Sequence, residues 1–219
     1  MNIAHKQLDS EPDFGGGVAT WTVLDDQLFP AWMIADCLSP SEIERCERTA
    51  HTGAQERFRR GRILLRNIFG RALNIPPKNV TLTLGEYGKP FVGGIHFNMS
   101  HTEGVMILAV SQGEIGVDVE TPSPGRDIRG LVNRYFTRVE REQFAALPPA
   151  LQAEAFLRGW TCKEAVLKAL GTGVRDLQNV SVDLDPRLPP RVLECPGSQG
   201  WLLECWKVGD ASAAVCVEN

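Results

Sequence analysis

Gly116-Val117-Asp118-Val119-Glu120 is the stretch that says most about the fold, because it predicts a strand with two different faces. Side chains alternate along a strand, so Asp118 and Glu120 share one face while Val117 and Val119 share the other, which suits a buried core. Two carboxylates on one face repel each other unless a cation or a base neutralises them. The alternative interpretation is a solvated strand end that precedes a linker.

Residues 160–168, WTCKEAVLK in one-letter code, lie within a predicted helix. Glu164 and Lys168 are four residues apart and share a helix face with Trp160, whereas Lys163 lies about 100° around the axis from Glu164. An exposed Glu–Lys pair worth only ~0.3–0.5 kcal/mol is the plainer interpretation. If the fold brings this helix to the carboxylate strand, three carboxylates and two lysines can hold a hard cation beside a phosphate. Such a site suits Mg²⁺-assisted phosphoryl transfer.

The composition is that of an ordinary globular protein, with 219 residues, 43% hydrophobic and 23% charged content, and a formal net charge of −4. That charge argues against bulk binding to nucleic acid or to an anionic membrane. The six cysteines form no CxxC pair and no zinc-finger pattern, so buried thiols in a reducing compartment are expected. Residues 1–17 hold no apolar signal core, and the apolar runs are too short to span a bilayer. We therefore expect a cytoplasmic protein without membrane contact.

The sequence divides into two similar α+β halves. Residues 1–17 are polar and end in glycines, which predicts a flexible N-terminal arm; the N-terminal half then covers 18–120 and the C-terminal half 121–219. Each half has one long helix with an F-x-R-G match, at Phe58–Gly61 and at Phe156–Gly159. This echo predicts a fused pseudo-dimer with its site in the cleft between the halves, with chance similarity as the alternative.

Helix and strand signals recur along both halves. Ser39 at the N-cap, Pro40 at the first helical position and Glu42 three residues after the cap predict a capping box. A glycine at 171 closes the last predicted helix. Further helices are predicted at about 54–73, 128–135, 138–146 and 149–170, and strands at about 18–24, 80–84, 95–98, 105–111, 115–120, 180–184, 191–195, 201–207 and 213–218.

Two further groups of polar residues suit phosphate. His101 follows a predicted strand between the hydroxyls of Ser100 and Thr102, although a lone histidine is more often a structural hydrogen-bonding residue. One helix carries six arginines, of which we place Arg57 and Arg62 near a ligand, because guanidinium groups pair with phosphate in two-point contacts. The remainder of such a run is ordinarily a solvated face.

Four motifs, taken in order, resemble a known family. They are GEYGKP at 85–90, FNMSH at 97–101, GVDVE at 116–120 and WTCKEAVLK at 160–168. Each motif is weak alone, but in this order and spacing they resemble the 4′-phosphopantetheinyl transferases of the surfactin-synthetase-activating type. The resemblance covers about 38–173. It implies a pseudo-dimer of two similar α+β halves, coenzyme A as cosubstrate, and transfer of the phosphopantetheine arm to a serine of an acyl or peptidyl carrier protein, with release of adenosine 3′,5′-bisphosphate.

The resemblance also implies roles for individual residues. Mg²⁺, or Mn²⁺ in its place, would be held by Asp118, Glu120 and Glu164. Glu164 would act as the base or help to position it, and Lys168 would neutralise the transferring phosphate, so that Asp118, Glu164 and Lys168 are the implied catalytic residues. The resemblance also implies a set of contacts to coenzyme A: Arg57, Gly88, Lys89, Pro90, Ser100, His101, Lys163 and Lys168. The arginine pattern adds Arg62 to this set.

The chain departs from the family at Glu42, where members often carry a basic residue, and Arg45, one turn later, is the expected substitute. Two other classes of protein remain open. A Mg²⁺-dependent nucleotide or pyrophosphate hydrolase would use the same carboxylates with water, and a non-catalytic module would only bind coenzyme A or a carrier. The sequence does not tell fatty-acid, polyketide and non-ribosomal peptide carriers apart. Arginines at 126–141 are candidates for carrier docking, and a monomer is expected.

Overall fold

The computed structural model describes residues 3–12, 14, 17–24, 27, 29–85, 88–172, 174–197 and 200–218. Its α-helices are α1 (Pro40–Arg48), α2 (Thr52–Leu73), α3 (Ile128–Tyr135), α4 (Arg138–Ala146) and α5 (Pro149–Leu170), with 3-10 helices at Pro77–Asn79 and Val174–Asn179. Its strands are β1 (Ile3–Lys6), β2 (Val18–Leu24), β3 (Thr83–Leu84), β4 (Pro90–Val92), β5 (Ile95–Thr102), β6 (Val105–Ser111), β7 (Ile115–Glu120), β8 (Ser181–Val182), β9 (Val192–Glu194), β10 (Trp201–Val208) and β11 (Ala211–Glu218). The α+β class expected from the sequence is confirmed.

The first half is built around a six-stranded sheet in the order β1-β2-β6-β5-β4-β3. Alternating side chains of β2, β5 and β6 face the long helix α2, so that Trp21, Phe97 and Leu108 pack with Leu65 and Phe69 in one core. α2 ends at Asn74, which adopts the left-handed conformation with φ of 53°. The apolar stripe of a 22-residue helix thereby covers one face of the sheet.

The second half is built around a three-stranded sheet in the order β10-β11-β7. β7 pairs antiparallel with β11, with Asp118 opposite Ala214. α5 covers this sheet, and Phe156, Cys162 and Val166 pack with Ala214 in a second core. Gly171 ends α5 in the left-handed conformation with φ of 75°, as the sequence predicted.

A third core joins the two sheets. It contains Ile107 from the large sheet, Val117 and Val119 from β7, and Val215 from β11. The valines of β7 therefore face the other sheet, as strand alternation predicts, while Asp118 and its neighbours of even number face α5. The described residues form four successive layers: α2, the six-stranded sheet, the three-stranded sheet and α5.

The N-terminal segment differs from the flexible arm predicted for 1–17. Ile3–Lys6 form β1, which pairs in parallel with the start of β2, and Leu8 is buried against the first core. Burial of Ile3 and Leu8 against the sheet gives the segment its order, at least over 3–12. The rest of the arm prediction lies partly on residues outside the described ranges. The division at residue 120 remains a prediction, although β7 pairs with strands of the C-terminal half.

Local sequence signals determine the structure of some segments, and long-range contacts determine that of others. The capping box at α1 is confirmed: Ser39 Oγ accepts from the backbone N–H of Glu42 at 3.3 Å, and Glu42 Oε2 accepts from that of Ser39 at 2.8 Å. The strand predicted at 80–84 is shorter and covers only Thr83–Leu84. The Arg66 guanidinium donates hydrogen bonds to the carbonyl oxygens of Pro77 and Val80, and these bonds hold the segment against α2 instead. No helix among the described residues has both the length and the apolar character needed to cross a bilayer.

Candidate active site

Asp118 lies at the centre of the candidate site, on the face of β7 that meets α5. The residue is only 4% exposed. The oxygen Oδ1 accepts hydrogen bonds from Ser100 Oγ at 2.8 Å and from Lys168 Nζ at 2.6 Å. The other oxygen, Oδ2, is buried and has no hydrogen-bond partner within the described part of the chain. A buried carboxylate oxygen without a donor costs free energy unless something else binds it.

Lys168 ties three elements together. Its ammonium group donates to Asp118 Oδ1, to Ser100 Oγ at 3.0 Å and to the carbonyl oxygen of Val117 at 3.2 Å. Three acceptors match the three N–H donors of an ammonium group. The fold therefore brings Asp118 and Lys168 together, and Ser100 of the FNMSH motif joins them from β5.

Glu120 and Glu164 add two further carboxylates to the same region. Burial, then repulsion from Asp118, raises the pKa of Glu164 to about 7, while Lys168 opposes the rise. Burial and repulsion from Asp118 also raise the pKa of Glu120, which Arg126, Lys168 and Trp160 oppose. The three carboxylates are thus close enough to repel one another, and Lys168 compensates only part of their charge.

Gly116 explains how strand and helix come so close. A Cβ atom added there would overlap the carbonyl oxygen of Ala165 and the backbone nitrogen of Ala169 on α5. The glycine of the GVDVE motif therefore lets β7 lie directly against the helix that carries Glu164 and Lys168. Asn98 on β5 adds a second constraint, because its Oδ1 accepts from the backbone N–H of Val117 at 3.0 Å.

A cavity of about 480 Å³ lies between α1, α2 and β5, and its lining includes Ser100, which donates to Asp118. Its lining combines apolar side chains with three arginines, and the guanidinium groups of Arg45 and Arg62 lie 4.7 and 5.2 Å from the centre of the Phe58 ring. The lining residues are Arg45, Thr49, Ala54, Arg57, Phe58, Gly61, Arg62, Pro90, Phe97, Asn98, Met99, Ser100, His101 and Met106. The predicted contacts Arg57, Arg62, Pro90, Ser100 and His101 therefore share one cavity.

Glu42, the departure from the family pattern, is part of the wall next to this cavity. Its carboxylate pairs with Arg66 at 2.7 Å and with Arg62 at 3.5 Å. Burial alone would raise the pKa of Glu42, but the hydrogen bonds from Arg66 and from the Ser39 backbone outweigh it, and the pKa is lowered. Arg45 lines the cavity as expected for a substitute basic residue.

Lys163 corrects the sequence interpretation. It was expected to contact coenzyme A, but its side chain is fully buried in the core of the second half. Its ammonium group pairs with Glu140, donates to the carbonyl oxygen of Val180 at 2.7 Å, and lies 5.0 Å from the centre of the Phe136 ring. Lys163 therefore faces away from Asp118 and Lys168, and the predicted contact is wrong.

The side chain of Lys89 also lies outside the lining of the first cavity. Its ammonium group donates to Glu114 at 2.7 Å and to the carbonyl oxygen of Ala169 at 3.3 Å. Its side chain lines a separate cavity of about 570 Å³, which shares Pro90 with the first. Gly88, with φ of 74°, forms the exposed turn before Lys89. Contact of Gly88 and Lys89 with a ligand stays a prediction.

Sequence reasoning missed Asn98 and Glu140. Asn98 lies two residues before Ser100 in β5, and strand alternation could have placed both on the face toward β7. No local pattern links Glu140 to Lys163, because the two are 23 residues apart and meet only through packing of α4 on α5. Among the described residues, no group of three or more His, Cys, Asp and Glu side chains converges closely enough to hold a metal ion as it stands.

Comparison with known proteins agrees with this geometry. The sequence model of the 4′-phosphopantetheinyl transferase superfamily matches residues 114–216, which include β7 and α5. The chain is 35% identical over 192 residues to the 4′-phosphopantetheinyl transferase HetI of Nostoc sp., covering 84% of this chain and 80% of that protein. It is 36% identical over 115 residues to gsp of Aneurinibacillus migulanus, covering 52% of this chain and 48% of that one. It is 29% identical over 140 residues to Sfp of Bacillus subtilis, covering 63% of this chain and 62% of that one. The chain belongs to the 4′-phosphopantetheinyl transferase superfamily.

Proposed function

We propose that this protein transfers the 4′-phosphopantetheine group of coenzyme A to a serine hydroxyl of an acyl or peptidyl carrier protein, in a Mg²⁺-dependent reaction. The serine oxygen forms a new bond to the phosphorus that carries the pantetheine arm. The bond from that phosphorus to the bridging oxygen breaks, and adenosine 3′,5′-bisphosphate leaves. The observation that carries the proposal is the Asp118–Ser100–Lys168 cluster at the end of an arginine-rimmed cavity.

The carboxylates fit a hard cation. Asp118 Oδ2 is buried without a donor, and Glu120 and Glu164 have pKa values raised by burial and by mutual repulsion, which a bound cation would relieve. Asp118, Glu120 and Glu164 would hold Mg²⁺, or Mn²⁺ in its place. When bound, the ion would neutralise charge on the diphosphate and polarise its oxygens.

The side chains of this protein would contribute to the reaction by positioning the substrates and by neutralising phosphate charge. In-line phosphoryl transfer needs mainly an aligned nucleophile and compensation of phosphate charge. Arg57, Arg62 and His101 line the cavity where the phosphates of coenzyme A would lie, with Pro90 at its edge. Lys168 stands at the junction of cavity and carboxylates and would neutralise the transferring phosphate. The Glu164 carboxylate would accept the proton of the carrier serine, directly or through a water molecule.

Three further expectations belong to this proposal. The chain would be a pseudo-dimer of halves 18–120 and 121–219, which is supported by two long helices on the outer faces of two packed sheets. It would act as a monomer, because one chain already contains both the cavity and the carboxylates. Its expected location is the cytoplasm. The carrier would dock near 126–141, where Arg129 is exposed whereas Arg138 is paired with Glu142.

The test is intact-mass spectrometry of an apo acyl carrier protein incubated with the protein, coenzyme A and Mg²⁺. We expect a mass gain of one phosphopantetheine group and its loss in EDTA. Consumption of coenzyme A without a gain on carriers of several classes would replace the proposal by a hydrolase. Metal-independent binding of coenzyme A without consumption would replace it by a binding module.

A further inference from the structure

Lys89 links the first half of the chain to the end of α5. It lies directly before β4, and its side chain is mostly buried. Its ammonium group donates to Glu114 Oε2 at 2.7 Å and to the carbonyl oxygen of Ala169 at 3.3 Å. Glu114 directly precedes β7, and Ala169 is the next-to-last residue of α5. One side chain therefore connects the start of the strand that carries Asp118 to the end of the helix that carries Lys168.

The contact with Ala169 suits the end of a helix. The last carbonyl groups of an α-helix have no partner within the helix, and they carry a partial negative charge. At the end of α5, the carbonyl oxygen of Leu167 accepts from the backbone N–H groups of Gly171 and Thr172, whereas that of Ala169 accepts from Lys89. A lysine from the other half thus supplies part of the C-terminal cap.

Glu114 holds the ammonium group in place. Its Oε1 atom lies 3.1 Å from His96 Nδ1, and its backbone carbonyl oxygen accepts from the N–H of Glu218 at 3.0 Å. His96 belongs to β5 and Glu218 ends β11, so both sheets fix the position of Glu114. The acid that binds Lys89 is therefore anchored independently of α5.

The residue next to Ala169 is Lys168, whose ammonium group meets Asp118. The backbone of Lys168 and Ala169 lies so close to Gly116 that a Cβ atom on this glycine would overlap both. The glycine permits this close approach but supplies no attraction between strand and helix. The Lys89 ammonium group supplies one, because it binds at the start of β7 and at the end of α5 together.

We propose that Lys89 is a positioning residue for Lys168: it holds the last turn of α5 at the distance from β7 at which Lys168 reaches Asp118. This inference rests on the proposed function, in which Lys168 neutralises the transferring phosphate. A displacement of ~1 Å in a catalytic site can lower the rate by ~10²-fold. This role differs from the contact with coenzyme A that the sequence implies for Lys89, and the two roles give different kinetics.

A double-mutant cycle on carrier modification tests the proposal. Lys89→Met removes the ammonium group and keeps an unbranched side chain. We expect it to lower kcat about 10–100-fold, with KM for coenzyme A unchanged. Added to Lys168→Met, it should lower kcat no further, because a residue that acts through Lys168 has no effect once that ammonium group is absent. Losses that multiply, or a raised KM with normal kcat, would overturn the proposal.

Hydrogen exchange measured by mass spectrometry tests the contact without reference to activity. The reporters are the backbone amides of Gly171 and Thr172, which bond to Leu167 at the end of α5. We expect both amides to exchange about 10-fold faster in Lys89→Met, since the helix end loses a charged hydrogen bond. Unchanged exchange would show that Lys89 does not hold the end of the helix, and would overturn the proposal.

Lys207→Met is the matched control. Lys207 lies on β10 and pairs with Glu154 of α5 at 3.6 Å, but both side chains are about half exposed and Glu154 lies near the other end of the helix. Loss of this lysine should leave both kcat and the exchange at Gly171 unchanged. The control therefore separates the position of Lys89 from the general effect of removing a lysine that contacts α5.

Glu114→Gln keeps the test decisive if Lys89→Met fails to fold. The amide oxygen still accepts from Lys89, but the negative charge that holds the ammonium group is gone. We expect the same two changes, lower kcat and faster exchange at the end of α5, each smaller than in Lys89→Met. A lower melting temperature with normal kcat per folded molecule would show a purely structural role for the pair, and would overturn the proposal.

Failure of the inference and failure of the proposed function give different results. Normal kcat in Lys89→Met, in an enzyme that modifies its carrier, overturns the inference alone. A wild-type protein that modifies no carrier overturns the function. Hydrogen exchange then still decides the inference: faster exchange in Lys89→Met supports it, and unchanged exchange overturns it as well.

Discussion

α5 carries two lysines five residues apart, and each meets a buried acid in a different way. Lys163 pairs with Glu140, and both side chains are fully buried. The carboxylate of Glu140 also accepts the backbone N–H groups of Val182 at 2.9 Å and Thr137 at 2.7 Å. Every oxygen of that acid is satisfied, so the pair has no capacity left for a ligand.

The Asp118–Lys168 pair is the opposite case. Lys168 is 29% exposed on its side chain, and one oxygen of Asp118 has no donor among the described residues. Two further carboxylates repel Asp118 instead of donating to it. The comparison indicates that a saturated acid–lysine pair stabilises the scaffold, whereas an unsaturated pair beside a cavity is available for chemistry.

The largest effect should come from removing the charge of the unsaturated acid. Asp118→Asn keeps the shape of the side chain, and we expect it to lower the rate of carrier modification about 10²–10³-fold, as the loss of one preorganised electrostatic group does in other enzymes. The melting temperature should change little. Intact-mass spectrometry of the carrier measures the transfer rate, and circular dichroism measures the melting temperature. Transfer at the wild-type rate would show that Asp118 is not part of the site.

The saturated pair should behave in the reverse manner. Lys163→Met leaves Glu140 buried without its counter-charge, and we expect a loss of about 3–5 kcal/mol in the free energy of unfolding, seen as a melting temperature about 10 °C lower. Activity per folded molecule should stay unchanged. Addition of Glu140→Gln should restore part of the stability, because the neutral amide oxygen still accepts a backbone N–H.

Lys168→Met is the matched variant on the same helix. It should lose activity at a smaller cost in stability than Lys163→Met, because the Lys168 side chain is partly exposed and Ser100 still donates to Asp118. If Lys163→Met and Lys168→Met gave the same pair of losses, the distinction between scaffold and site would fail. Chemical denaturation and the transfer assay, run on both variants, make the comparison.

Glu42 extends the comparison to pH, because its oxygen Oε2 is hydrogen-bonded whereas Oε1 has, among the described residues, no hydrogen bond and only the Arg62 guanidinium as an ion-pair partner. Its pKa is lowered below the ordinary value of 4.5, so it stabilises the fold above that pH, and the contribution is lost as pH falls through the lowered pKa. We therefore expect wild type to exceed Glu42→Gln in unfolding free energy near pH 7. The difference should shrink as the pH drops below the ordinary value.

The control for this pH dependence is Glu44→Gln. Glu44 lies on the same helix, is 65% exposed on its side chain, and pairs with Arg48 at 3.7 Å. Exposed pairs contribute little, so its unfolding free energy should follow that of wild type at every pH. A stability difference between wild type and Glu42→Gln that persists unchanged at pH 3 would contradict the assignment of charge to Glu42.

The smallest effect should come from Ser39→Ala at the start of α1. This change removes the side-chain acceptor for the Glu42 backbone N–H, which typically costs ~1 kcal/mol. The loss should be the same at acidic and neutral pH, unlike that of Glu42→Gln, because a serine hydroxyl does not titrate in this range. Denaturation curves at two pH values measure both.

Local signals in the sequence were sufficient for the helices of the second half and for two central strands. The ends of α3, α4, α5, β6 and β7 fall where the sequence predicts them, because caps, prolines and apolar periodicity act locally. β1 could not be predicted, because Ile3–Lys6 become a strand only by pairing with β2, and the polar segment that follows gives no sign of this.

The site shows the same division. Strand alternation placed Asp118 with Glu120, and helix spacing placed Glu164 with Lys168, so the sequence predicts both faces that meet. It could not tell which lysine of the motif enters the site, because each side of α5 is buried against a different partner. Glu140, which pairs with Lys163, lies on another helix, and the pair becomes visible only when α4 packs on α5.

Gly116 has a consequence for how mutational data on this protein will look. A methyl group at this position would act as a wedge between strand and helix, although the residue has no chemistry of its own. In a scan of single substitutions, position 116 would score among the inactive positions, next to Asp118, and could be mistaken for a catalytic residue. The distance between the acids and the lysine is set by an absent side chain, so rebuilding this site on another scaffold would require copying that gap as well as the charged groups.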